Sequence, residues 1–306
     1  LSKTGTIGDS VFRTILIIFA ATIIVIVVAM IAMMVQNSLP TIREFGLGFL
    51  TGRRWQPASD IFGALPFIYG TIVSSVIALV LAVPLSLGIA IFLVEQAPQK
   101  IARPIAFMVE LLAAIPSVVY GLWGIFVLAP FIRSYLGPVL QSYLGWLPLF
   151  QGRLTGIGML TGGMIMALMV TPIVTAVVRD VLEAVSTTQR EAALALGATK
   201  WETTTIVLGN AASGIAGAVV LGLGRALGET MAVTMVIGNS PQISSSLFEP
   251  AYTIASVLAA NFAEATDKLY LSALIEMGLV LFLVTFIVNA FAKLLVIRVA
   301  RRSGAH

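Results

Sequence analysis

The sequence predicts an all-α membrane protein: one domain, residues 1–306, built on six membrane-spanning helices with short helices at one membrane surface. Three observations lead there. Hydrophobic residues make up 58% of the chain and charged residues only 10%, whereas a soluble domain carries about 25% charged residues. Six separate segments are apolar over about 20 residues or more, the length that crosses a hydrocarbon core of about 30 Å. Most charges fall between these segments rather than within them.

The first span covers residues 14–35, an almost unbroken apolar run. It is too long for the core of a removable leader and lacks a small-residue cleavage site, so it is expected to stay in the membrane. The second (68–94), third (105–132) and fourth (156–178) contain Pro84, Pro116 and Pro172. Each proline is expected to kink or break its helix, which membrane proteins accept where neighbours satisfy the freed carbonyls. The fifth span covers 213–238 and the sixth 269–297. The connections 36–66, 133–155 and 239–268 lie on one side, and none is large enough for a receptor domain. On the other side, residues 179–212 are long for a turn and rich in helix formers, so they read as short helices under the membrane.

Six spans put both ends of the chain on one side. That side carries eleven of the 18 lysines and arginines and the opposite side six, with Arg225 left inside a span. The positive-inside rule then places both ends in the cytoplasm. There is no cysteine, and the single histidine is His306, so thiolate and histidine metal sites are excluded. No Walker A pattern occurs, so any ATP that drives this protein is hydrolysed by another chain. Nothing in the composition asks for a nucleic-acid partner.

The fifth span raises the sharpest question. Its stretch "GLGRALGETMAV" holds Arg225 and Glu229. An ion at the centre of a membrane helix costs about 2.5–3.5 kcal/mol, and such residues face protein or a water-filled gap. On a continuous helix, positions four apart share one face. That face also carries Ala218, Gly222, Gly228 and Ala232, while Val219, Val220, Leu223, Leu227 and Met231 are expected to face lipid. One interpretation is an internal ion pair that pins helices together. Against it, the stabilising order on a helix places the acid first, and apolar residues replace a purely structural pair at little cost. The other interpretation is an anion path. Arg225 supplies planar, multiply donating recognition of an oxyanion. Glu229 weakens that grip enough for release and accepts a hydrogen bond from a protonated oxyanion. Two further acids in spans, Glu110 and Glu276, are expected to have no substrate role. In the loop 36–66, Arg53, Arg54 and Trp55 read from the residues alone as a membrane-interface anchor.

The loop 179–212 contains "REAALALGATKWETTTIVLG". Glu191, Ala192 and Ala193 followed by Gly197 match, in identity and spacing, the EAA motif of ABC-importer permeases, and the chain resembles that family. The tail departs from it: Ile206 comes one position early, and Gly209 stands where proline is usual. The stretches "FLTGRRWQPASDIFGALPFIYGT", "ELLAAIPSVVYGLWG" and "GLGRALGETMAVTMVIGN" are similar to the phosphate-specific (Pst) permeases, in particular the PstC-type subunits. The resemblance runs from about residue 49 to 288.

It implies a type I importer (MetI-like) fold in a bacterial or archaeal cytoplasmic (inner) membrane. The partners it implies are a second permease (PstA-type), two ATPase subunits (PstB-type) that bind ATP and magnesium, and an external phosphate-binding protein (PstS-type). It further implies that Arg225 and Glu229 serve phosphate passage, that Glu191, Ala192, Ala193 and Gly197 form the helix docked on an ATPase subunit, and, as an alternative to the interface anchor, that the loop with Arg53, Arg54 and Trp55 is part of the surface facing the binding protein. The alternatives at this point are a permease for sulfate, molybdate or a phosphonate, a self-sufficient ion-coupled carrier or channel, and a structural scaffold.

Overall fold

The computed structural model describes residues 7–302, so Lys3 and His306 lie outside the described residues. It is all-helical, and six of its helices are long and apolar enough to cross a membrane.

Helix α1 (Ile7–Phe45) is a single rod of 39 residues, about 58 Å long at 1.5 Å per residue. It contains the predicted span 14–35 and continues ten residues past it. Its apolar side chains from Val11 to Val28 are largely exposed. Lipid tails are as apolar as those side chains, so burying them inside the chain gains little. The far end of α1 is tied to the last helix, where the Thr41 amide donates to Ser272 Oγ at 3.2 Å.

After one helical turn (Gly48–Thr51), the chain makes a tight hairpin in which the Gln56 amide donates to the Ile61 carbonyl at 2.8 Å. This hairpin folds Trp55 inward. The indole is buried and lies 5.1 Å from Phe62 and 5.0 Å from Phe67, ring centre to ring centre. Trp55 is therefore the core of an aromatic cluster, not an anchor at the membrane interface, while Arg53 and Arg54 remain exposed.

Helices α2 (Leu65–Ile91) and α5 (Met159–Glu183) form the centre of the bundle. Their contact is built from small residues: Ala78, Ala82 and Ala90 on α2 are fully buried, and a Cβ on Gly163 of α5 would stand 2.5 Å from Ile77. Small residues let membrane helices approach closely. Ser86 donates across the contact to the Thr171 carbonyl at 3.0 Å. At its end α2 widens into one π-helical turn, Phe92–Gln96.

The predicted third span, 105–132, is not one helix. Helix α3 (Gln99–Ala114) stops at Ile115, which is extended. Pro116 follows, and proline disfavours the helical conformation in the residue before it. The membrane-length helix is α4, Ser117–Leu144. It runs well into the predicted connection 133–155 and contains two π-helical turns, Gly124–Leu128 and Ile132–Leu136.

Helix α5 is the most enclosed span, with two-thirds of its apolar window buried. It has no side-chain cap at its start. Instead the amides of Gly158, Met159 and Leu160 donate to the carbonyls of Val236, Glu249 and Leu247. The first amides of a helix need such outside partners. The connection 239–268 is thus folded against the bundle and carries a short helix of its own, Ile254–Asn261.

The predicted division of loop 179–212 and span 213–238 also changes. The chain forms α6 (Thr187–Ala195), then α7 (Lys200–Leu227), a break, and α8 (Met231–Val236). Helix α9 is Ile254–Asn261 and α10 is Lys268–Arg302. Residues 200–212 belong to the membrane helix itself. Its start is fixed by a capping box: Thr199 Oγ1 accepts from the Glu202 amide, and Glu202 accepts from the Thr199 amide at 2.7 Å.

Candidate functional site

Arg225 sits in the last turn of α7, where a cation complements the negative end of the helix dipole. The helix ends at Leu227, two residues before Glu229. Gly228 has low intrinsic helix propensity and lets the chain leave the helix before it restarts at Met231. The Arg225 guanidinium still reaches the Glu229 carboxylate, Nη2 to Oε2, at 3.4 Å. The pair therefore closes across a break rather than along a continuous helix, which overturns the geometric basis of the one-face expectation. Non-helical backbone at membrane depth is tolerated where protein buries it or where it lines a cavity.

The two charges are unequally placed. Glu229 is 6% exposed and the Arg225 side chain 50% exposed. The carboxylate is buried, and the guanidinium stands half exposed on the outside of this single chain. Leu221 and Gly228 are exposed beside it.

The predicted small and bulky faces do not separate protein from lipid. Ala218 and Ala232 are buried as expected, but so are Leu223 and Leu227. Helix α7 is wedged between α5 and α2 on one side and α10 on another. It therefore buries bulky as well as small residues, and in its second half a narrow stripe of Ser213, Gly217, Leu221 and Arg225 stays open. Gly222 meets α5 so closely that a Cβ would lie 2.6 Å from Val174 Cγ2. Met231 is exposed, as predicted.

The predicted coupling residues form one compact hairpin. Ser186 caps α6 by accepting from the Thr188 amide at 3.2 Å. Glu191 and Ala192 are exposed, while Ala193 is buried against the bundle. Gly197 has φ +87°. The Gly197 amide donates to Leu194 at 3.0 Å and the Ala198 amide to Ala193 at 3.1 Å. These two bonds are the paired closure that ends a helix with a left-handed residue. The motif glycine is thus needed for its backbone; its Cβ position is empty space. One residue, Ala198, separates this closure from the Thr199 cap of α7. Gly209, the departure from the family pattern, lies inside α7, and the helix passes through it unbroken.

The structure adds residues that motif spacing did not single out. Leu196 is 90% exposed and Trp201 69% exposed, with Leu194 beside them. They leave the tip of the hairpin apolar and exposed. The signal was present in the sequence as apolar residues on either side of Gly197, but helix periodicity assigns such residues to a core.

Glu110 lies on α3, not in a span, and pairs with Arg179 at 3.0 Å. Glu276 on α10 is 7% exposed, and its Oε2 has no hydrogen-bond partner among the described residues. Neither touches Arg225 or Glu229 by any hydrogen bond or ion pair among the described residues.

Residues 82–301 match the family described as binding-protein-dependent transport system inner membrane component. The chain is 44% identical over 302 residues to the phosphate transport system permease protein PstC of Mesorhizobium japonicum, covering 97% of this chain and 92% of that protein. It is 45% identical to the PstC protein of Xylella fastidiosa strain Temecula1, covering 97% and 93%. A chain of the MetNI methionine ABC transporter, solved in inward-facing conformations, superposes with a TM-score of 0.49 at 18% identity, covering 78% of this chain and 94% of that one. With one membrane helix broken at a charged pair and a hairpin closed at Gly197, this multi-pass membrane chain belongs to the family of binding-protein-dependent transport system inner membrane components, among its PstC-type permeases.

Proposed function

We propose that the chain is one of two permease subunits of an ATP-driven importer of inorganic phosphate in a bacterial or archaeal cytoplasmic membrane, with both ends in the cytoplasm. Its exposed stripe on α7 faces the second permease, and phosphate passes between the two. An external binding protein delivers phosphate, and the exposed Arg53 and Arg54 belong to the surface it meets. Two ATPase subunits bind ATP and magnesium and carry out hydrolysis; this chain supplies no catalytic group.

The single observation that carries the proposal is the continuity of α7. The helix begins just beyond the hairpin closed at Gly197 and holds Arg225 in its last turn. Over about 25 residues a helix spans about 38 Å, a full membrane thickness. A displacement of α6, docked through Leu196 and Trp201 on an ATPase subunit, is therefore delivered to the guanidinium by one rigid element. In the outward-open state Arg225 binds a phosphate oxygen pair through its fork of donors. Glu229, held in the wall, repels the dianion enough to permit release and accepts the hydrogen bond of a protonated phosphate. Tilting of α7 then moves the charged break from one access to the other.

The test is ATP-dependent uptake of phosphate by the reconstituted complex. Replacing Arg225 by alanine is expected to lower uptake by at least about tenfold, the factor carried by loss of one charge-assisted interaction, while the complex still assembles and hydrolyses ATP. Uptake at the wild-type rate by Arg225→Ala would remove the guanidinium from the path.

A further inference from the structure

Arg190, one residue before the Glu191–Gly197 motif, makes four hydrogen bonds to two other parts of the chain. Its Nε and Nη2 donate to Glu95 Oε1 at 3.1 and 2.9 Å. Its Nη1 donates to the Val185 carbonyl at 2.5 Å and its Nη2 to the Leu182 carbonyl at 2.7 Å. Glu95 lies in the π-helical turn that ends α2, Leu182 lies in the last turn of α5, and Val185 follows two residues past that helix. The ion pair is largely enclosed, with side chains 19% and 10% exposed.

This arrangement differs from a surface ion pair in two respects. The last carbonyls of a helix lack a full set of partners inside it, and Arg190 donates to one of them, Leu182, and to Val185 in the turn that follows, while using its remaining face on a carboxylate. Removing one partner of an enclosed ion pair leaves an uncompensated charge, so the pair is costly to open. The second respect is position. An extra residue in a π-helical turn rotates the later side chains by about 100°, and it is this turn that carries Glu95 on to the coupling helix. At the other side of α6, Asn210 of α7 donates to Gln189 at 2.9 Å. Helix α6 is thereby joined to α2 and α5 through Arg190 and to α7 through Gln189 and the short closure at Gly197.

The geometry points to Arg190 and Glu95 as positioning residues for energy coupling: a strut that makes the central pair α2 and α5 move with the docked helix α6. This rests on the importer function proposed above. Without the strut, movement of α6 reaches α7 alone, and the bundle lags behind its own ATPase.

The test uses the complete complex in liposomes with inorganic phosphate. Glu95→Gln keeps the side-chain shape and removes the charge. Its complex is expected to assemble and to hydrolyse ATP at the wild-type rate, while uptake falls by about tenfold, so that ATP consumed per phosphate rises by the same factor; Glu95→Asp is expected to recover part of the loss. The chain lacks cysteine, so spin labels at Gln96→Cys and Thr188→Cys report the distance between the π-helical turn and α6. One narrow distance is expected with Glu95 in place and a broad distribution with Glu95→Gln.

An unchanged ratio of ATP to phosphate overturns the strut, as does a proportional fall of hydrolysis and uptake. If Glu95→Gln does not assemble, the label distance in the solubilised chain decides, and an unchanged narrow distance overturns the strut. Absence of ATP-driven uptake by the wild-type complex would instead overturn the importer function, whereas the label distance would still report on the strut.

Discussion

Arg225 and Glu229 differ in exposure by a wide margin, 50% against 6%, and the proposed function builds their roles on that asymmetry. A half-exposed guanidinium keeps donors free for a visiting anion, whereas a buried carboxylate next to it sets how tightly the anion is held. Phosphate carries a proton that Glu229 can accept as a hydrogen bond; sulfate at neutral pH carries none and meets only repulsion. Replacing Glu229 by glutamine removes the repulsion and retains the shape. The expected outcome is a loss of preference for phosphate over sulfate by about tenfold, the size of one charge-assisted hydrogen bond. Competition of sulfate against phosphate uptake in the reconstituted complex measures it, and undiminished preference would show that selection occurs elsewhere.

Among the elements, the turn between α6 and α7 is the most constrained. Gly197 adopts φ +87°, and a side chain in the left-handed region costs roughly 1–2 kcal/mol. Nothing lies within 4 Å of the Cβ that alanine would add, so the whole penalty is backbone strain rather than collision. Gly197→Ala is therefore expected to destabilise the hairpin by that amount, and Gly197→Asn by less because asparagine tolerates this conformation. Thermal unfolding of the purified permease, with recovery of the ATPase on co-purification, reads both effects. The opposite case is Gly209, which is helical and also has an open Cβ position. Gly209→Ala is expected to stabilise α7 by about 1 kcal/mol through propensity alone, which the same melting experiment detects.

At the scale of the molecule, the proposed function makes this chain half of a path. The Arg225 stripe is open on its outer face, and the cavity of about 640 Å³ between α1 and α10 is lined by apolar residues such as Met30, Met33 and Leu274. That cavity suits acyl chains and offers nothing to an anion. The chain by itself in phosphate-loaded liposomes is accordingly expected to give no phosphate flux, with flux appearing only when the second permease, the ATPase subunits and ATP are supplied. Flux from the isolated chain would show that it closes a path of its own.

Residues read in order reveal the fold class and the places where chemistry concentrates. Six apolar runs separated by charges determine six candidate spans, because crossing the membrane depends on length and composition, both of which are local. The EAA spacing marked the hairpin, and one arginine inside an apolar run marked the site. Tertiary structure decided the rest. Helix faces could not be assigned by angle at Leu223 and Leu227, since α7 packs between neighbours on more than one side. The break at Gly228 and the stop at Ile115 moved the span boundaries, because a membrane helix can end wherever packing supplies partners for its freed backbone groups. Trp55 turned inward through a hairpin that no periodicity signals. Arg190 and Glu95 are 95 positions apart in sequence, and only the packing of α2 against α5 brings their charges within 2.9 Å. Composition is additive along the chain and therefore legible in it; contact between distant side chains depends on how the helices are stacked.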